Sequence, residues 1–302
     1  MINFTDRVVI VTGAGRGLGR TYSLALAARG ATVVAVDLGC DPEGENPDPS
    51  YIEDLVASIH DMGRAEAIGH CCDVRSGNAL DEVVADTLTR FGRIDGLVCN
   101  AGTLLSSQQQ AIGDDQPRLQ MEMNHFSTLE SVRAVWPQMK RQGYGRVVIT
   151  ASLSALYGDP KLPGFGAANG ANIALMQSLK CGSEADGIRI NALCPSADTR
   201  LTRSLGLSRM AEEMTPDLMV PPLLWLLSES APNGETVTAG GGHVALASVQ
   251  ESEGLYLGGD RMRPECYAEA WQRLKQMPKR RGFAILGERL ERLFQSLLRQ
   301  RS

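Results

Sequence analysis

Short apolar runs alternate with amphipathic stretches over most of this chain. The runs at residues 7–12, 32–36, 65–70, 95–99, 146–150, 188–193 and 236–239 read as seven strands. Between them lie helical patterns: one opening at Gly17, others over 51–62 and 76–90, a long one ending near Arg141, and one over 162–182. A polar stretch of Asp, Pro and Glu at 41–49 reads as a loop. Strands that alternate with helices predict the α/β class, a Rossmann-type doubly wound parallel sheet, because parallel neighbours need a crossover long enough to hold a helix.

The alternation stops after Gly240-Gly241-Gly242, and no repeat or linker precedes residue 245 or so. The expected organisation is therefore one domain over 1–245 and a largely helical C-terminal extension over 246–302. In the last stretch Leu286, Leu290, Leu293, Phe294, Leu297 and Leu298 share one stripe, with Arg and Glu opposite. That stripe needs cover, either from its own domain or from a neighbouring subunit.

Charge sharpens this division. Residues 261–302 hold eleven Lys and Arg against four Glu, a balance of +7, within a chain whose net charge is −5. An acidic body argues against broad nucleic-acid binding, which needs a basic footprint. A hydrophobic content of 43% and a charged content of 22% suit a globular protein with a full core. Strand-like sequence begins within the first ten residues and no apolar run approaches the roughly 20 residues of a membrane span. A cytoplasmic protein without a membrane segment is expected. Seven cysteines without metal-like spacing fit reduced thiols better than a disulfide framework.

The first strand runs into Thr12-Gly13-Ala14-Gly15-Arg16-Gly17-Leu18-Gly19, where a helix opens. Small residues at such a turn let a backbone approach a pyrophosphate, and the helix start offers free N–H groups to it. About twenty residues on, the second strand ends in Asp37, whose carboxylate suits the ribose hydroxyls of NAD and repels the 2′-phosphate of NADP. NAD is thus favoured over NADP, although Arg16 is placed to meet a 2′-phosphate and Asp37 could be simply a solvated strand end.

These glycines, Asp73-Val74, Asn100-Ala101-Gly102 and Ile188-Arg-Ile-Asn-Ala192 followed by Pro195 together resemble the short-chain dehydrogenase/reductase family, over about residues 5–242. Asp37-Leu38-Gly39 with its long loop, Ser152-Leu-Ser-Ala-Leu-Tyr-Gly158 and the extended C-terminus resemble in particular the hydroxyacyl-CoA dehydrogenase branch, whose members act on acyl-CoA thioesters and steroids. The resemblance implies that Gly13, Arg16, Gly17, Leu18, Gly19 and Asp37 bind the cofactor. Asp73 and Val74 would flank its adenine, Asn100, Ala101 and Gly102 would line it, and Pro195, Ser196 and Thr199 would sit near the nicotinamide carboxamide.

The same resemblance exposes a gap. In this family a Tyr hydroxyl gives or takes the alcohol proton, and a Lys lowers the pKa of that Tyr and binds the nicotinamide ribose. A Ser orients the substrate oxygen, and an Asn supports the Lys through water. Asn124 and Ser152 match the last two, but the Tyr position, thirteen residues after Ser152, is Phe165 and the Lys position is Asn169. Tyr157 and Lys161 have the required spacing, yet Gly158 and Pro160 between them oppose the shared helix face the pair needs. Tyr157 then reads as pocket wall. Ser152 and Asn124 also have structural readings, as a cap and as the repair of a helix irregularity. His125 and His243 are single histidines, and Cys194 is either a nucleophile or a buried thiol.

Three functions remain open on this reading. The first is a weakly active or inactive NAD-binding homologue that partners an active one in a mixed oligomer, with a homo-oligomer as the alternative assembly. The second is an atypical oxidoreductase on an acyl-CoA, steroid or polyketide-like small molecule, with the proton handled by Ser152, Tyr157, water or the substrate. The third is a non-redox lyase or dehydratase in the same pocket. No metal site is expected.

Overall fold

The computed structural model describes residues 2–41, 45–105, 116–203, 213–258, 261, 263–277 and 280–299. All seven expected strands form: β1 (Val8–Thr12), β2 (Thr32–Val36), β3 (Ala67–His70), β4 (Gly96–Cys99), β5 (Gly145–Thr150), β6 (Ile188–Ser196) and β7 (Thr236–Gly240). They pair in parallel, with Val9 opposite both Val33 and Gly96, and Val148 opposite Val98 and Asn191. The sheet runs β3-β2-β1-β4-β5-β6-β7, with an eighth strand, β8 (His243–Ala247), beside β7. Sequence order reverses between β1 and β4, which opens a crevice at their carboxyl ends.

Successive strand residues bury on opposite faces. Val9, Val11, Val33, Ala35 and Val148 face one core with Leu26 of α1 (Gly17–Ala27), Leu55 of α2 (Ser50–Asp61) and Leu223 of α8 (Val220–Leu227). Val8, Ile10, Val34, Val147 and Ile149 face the other with Val83 of α3 (Gly77–Phe91), Val135 of α5 (Ser127–Gln142) and Met176 of α7 (Pro163–Ser183). Burial on both faces is why these strands read as continuous apolar runs. Ser76 caps α3 by accepting from the Ala79 N–H, and Gly92 ends it at φ 72°.

The long helix before β5 is not uniform. It comprises α4 (Gln116–Gln120), a π-helical turn over Met121–Phe126 and then α5. A short helix that the sequence reading lacked, α6 (Leu153–Tyr157), starts from Ser152.

Strand pairing also continues past the glycines, contrary to expectation, with β8 (His243–Ala247) beside β7. Gly241 and Gly242 have φ of 54° and 78°, the backbone of a two-residue hairpin turn, so β8 returns antiparallel. The chain divides into two compact units, residues 1–246 and 247–302. The second is not purely helical: α9 (Pro264–Gln276) and α10 (Leu286–Arg299) accompany β9 (Glu251–Ser252) and β10 (Arg280–Arg281), which pair antiparallel. Within it Leu286, Leu290, Leu293 and Phe294 of the expected stripe are exposed. The side chains of Leu297 and Leu298 lie outside the described residues.

Candidate active site

The glycine turn is held by side chains from β1 and the end of β4. The Thr12 hydroxyl donates to the Val98 carbonyl and accepts from the N–H groups of Asn100 and Ala101 at 3.0 and 3.1 Å. Asn100 Nδ2 returns the tie, donating to the carbonyls of Thr12 and Gly13, both at 3.1 Å. The two strands flanking the crevice are thus bolted together at its floor. A Cβ on Gly13 would lie 2.8 Å from the Ala101 Cα. Gly19 is buried and outside the lining: a Cβ there would meet the Gly13 carbonyl oxygen at 2.0 Å, so the glycine seats α1 on the turn.

Arg16 precedes α1 without a side-chain cap, which leaves the first-turn N–H groups free beside the cavity that Gly17 and Leu18 line. That cavity, of about 440 Å³, follows the carboxyl ends of β1 to β6 and is lined by every expected site residue except Gly19. At one end Asp37 accepts from the N–H groups of Gly15 at 2.8 Å and Gly39 at 2.7 Å. Arg16 stacks on Tyr51, 4.1 Å from the ring centre, and donates to the Cys40 carbonyl. The Asp73 carboxylate takes the Arg75 Nε at 2.9 Å on both oxygens, and Val74 beside it is buried. Burial alone would raise the Asp73 pKa, but the Arg75 hydrogen bonds prevail and hold it below the ordinary Asp value.

The other end gathers Asn124, Ser152, Phe165 and Asn169 with Ala101, Gly102, Pro195, Ser196 and Thr199. Ser152 Oγ accepts from the Ser154 N–H at 3.2 Å and the Ser154 hydroxyl at 2.9 Å. Phe165 and Asn169 lie one helical turn apart on α7. Asn169 Nδ2 donates back to the Phe165 carbonyl at 2.9 Å.

Asn124, 6% exposed, sits in the π turn and clamps the segment after β4. Its Oδ1 accepts from the Thr103 N–H at 2.8 Å and its Nδ2 donates to the Thr103 carbonyl at 3.0 Å. Its own carbonyl accepts from Asn172 Nδ2 at 2.9 Å, and Asn172 Oδ1 meets His125 Nδ1 at the same distance.

Three sequence readings change here. Tyr157 ends α6 with 76% of its surface exposed and lies outside the lining, so it is not pocket wall; Gly158 (φ 75°) follows it. Cys194 is fully buried and outside the lining, with its thiol pushed up to about 12 by burial, which leaves it protonated and no nucleophile. His125 has a partner in Asn172, while His243 is exposed on β8. The sequence reading missed Tyr51, Arg75, Ser154 and Asn172. Arg75 and Ser154 stand within two residues of singled-out positions; Tyr51 and Asn172 carried no local signal.

All seven cysteines are unpaired. No group of side chains suited to a metal, and no helix long and apolar enough to cross a membrane, occurs among the described residues. A dinucleotide fits the cavity on three local grounds: uncapped helix N–H groups, glycines at close approach, and a carboxylate at the end of β2.

The short chain dehydrogenase family profile matches residues 7–208. The chain is 33% identical over 276 residues to the mouse peroxisomal multifunctional enzyme type 2, covering 90% of this chain and 37% of that protein. It thus spans little more than a third of that relative's length. A short chain dehydrogenase from Mycobacterium avium superposes with a TM-score of 0.79 at 25% identity, over 94% of this chain and 99% of that one. Carveol dehydrogenase from the same organism, solved in complex with NAD, shares the fold with a TM-score of 0.72 at 22% identity, over 79% of this chain and 97% of its own. The sheet order, the glycine turn and these matches together make the chain a member of the short chain dehydrogenase family.

Proposed function

We propose that this chain is an NAD-binding family member with little or no turnover of ordinary alcohols and ketones, acting as a subunit beside an active homologue. The observation that carries this reading is the pair on α7. Phe165 has no ionisable hydrogen, and Asn169 is an uncharged amide with one of its two N–H groups turned onto the Phe165 carbonyl. NAD would supply a hydride acceptor, but the proton transfer that must accompany hydride transfer then lacks the acid and cation that resemblance assigns to these positions. A positioned general acid contributes about 10²- to 10⁴-fold in rate.

The preference for NAD is supported by Arg16, whose guanidinium is already engaged by Tyr51 and Cys40, and by the Asp37 carboxylate. Calorimetric titration is expected to find NAD bound at least about tenfold more tightly than NADP, and Asp37→Ser to narrow that gap. Equal affinity for both cofactors in the wild-type protein would refute the preference.

Partnership rests on the amphipathic α10 and the +7 charge of residues 261–302. Co-expression with an active homologue followed by native mass measurement is expected to yield mixed oligomers. An assembly made only of copies of this chain would leave a homo-oligomer in their place. The resemblance to acyl-CoA and steroid dehydrogenases suggests that class of small molecule as substrate or ligand. A cytoplasmic location is proposed, with the peroxisomal relatives supplying the alternative.

One observation favours a second reading, an atypical oxidoreductase. Ser152 Oγ accepts two hydrogen bonds, so its own hydrogen is left to donate to a carbonyl oxygen in the cavity.

A further inference from the structure

The amide of Asn169 is oriented by its partner. Nδ2 faces the Phe165 carbonyl at 2.9 Å, and the flipped amide would set oxygen against oxygen. Oδ1 therefore faces the other way. No hydrogen-bond partner meets it among the described residues, and it is not sealed from solvent, because Asn169 lines the cavity while being only 4% exposed overall. The group offered to the cavity at this position is an uncharged amide, whose Oδ1 is a free acceptor.

Topology says which part of a dinucleotide meets it. In a doubly wound sheet the cofactor straddles the switch point and each half takes one mononucleotide. Asp37 and Asp73 belong to the half built on β1 to β3. Asn169 stands on α7, after β5, on the half left for the nicotinamide nucleoside. The charged side chains lining that half are Asp159, in the turn before α7, and the exposed Arg200 after β6. No buried cation among the described lining residues faces the ring there.

The nicotinamide ring is a cation in NAD⁺ and neutral in NADH, so the charge facing it selects between them. We propose that Asn169 makes the cavity selective for the oxidised cofactor: Oδ1 accepts a ribose hydroxyl hydrogen and no ammonium repels the pyridinium. This rests on the reading of the cavity as an NAD site. Two unit charges about 6 Å apart repel by an amount worth on the order of 10- to 100-fold in affinity at the effective dielectric of a protein site.

The test is calorimetric titration of the wild-type protein, Asn169→Lys and Asn169→Asp with NAD⁺ and with NADH. The wild type is expected to bind NAD⁺ more tightly. The ratio of the two affinities should fall at least tenfold in the Lys variant and rise several-fold in the Asp variant, whose side chain is nearly isosteric and secures the comparison if Lys is not accommodated. A ratio that stays constant across the folded variants, or a wild type that prefers NADH, overturns the inference while leaving the NAD site standing. Failure of the wild type to bind either form overturns the proposed function, and the inference with it.

Discussion

The double variant Phe165→Tyr, Asn169→Lys is expected to raise nicotinamide-linked turnover of activated ketones by about 10²- to 10⁴-fold over the wild-type chain. Both positions line the cavity with Ser152, and α7 sets them one turn apart on a shared face. Phe165 is half-buried, so a hydroxyl on its ring enters open cavity rather than packed core. Each single change should recover far less, because an acid and the cation that tunes it act as one unit. Nicotinamide absorbance against a panel of acyl-CoA and steroid ketones is the measurement. Brisk turnover by the wild type would sink the reading of a disabled site. A double variant that binds NAD and stays inert would show that restoring this pair does not restore the proton path.

Gly19→Ala is expected to cost about 3 kcal/mol of stability, the upper end for overpacking, and to abolish nucleotide binding. The added Cβ would sit 2.0 Å from the Gly13 carbonyl oxygen and 2.7 Å from Asn100 Nδ2. Neither can yield cheaply: the first is backbone of the cofactor turn, and the second is the amide that ties β4 to β1. Gly170, inside α7 with nothing within 4 Å of its notional Cβ, is the control. There Ala should instead add up to about 1 kcal/mol through helix propensity. Urea denaturation and NAD titration of both variants separate the two outcomes, and a Gly19→Ala protein as stable as the wild type would contradict the packing described.

Most of the sheet was legible because it is written in local pattern. Runs buried on both faces, such as Val8-Val9-Ile10-Val11, announce a strand wherever they fall, and the glycine turn announces the helix that follows. Strand β8 was harder. Its apolar Val244 and Leu246 are exposed rather than packed in the core, so the pattern marks no buried face, and the left-handed Gly241 and Gly242 turn the chain back on itself. Similarly, α6 depends on the Ser152 cap and buries no residue completely, which leaves it without a periodic stripe.

What the amino-acid order settled by itself is chemical identity and local shape: a turn built for phosphate, a carboxylate ending β2, and α7 positions 165 and 169 with neither phenol nor ammonium. Tertiary structure decided how those groups are used. It spent Arg16 on Cys40 and Tyr51, Asn124 on Thr103, and Asn169 Nδ2 on its own helix, while it sealed Cys194 in the core and left Tyr157 in solvent. The reason is physical. A side chain's composition fixes which hydrogen bonds and charges it can offer, but whether they are already taken depends on partners that only folding brings within 3 Å, often from more than twenty residues away.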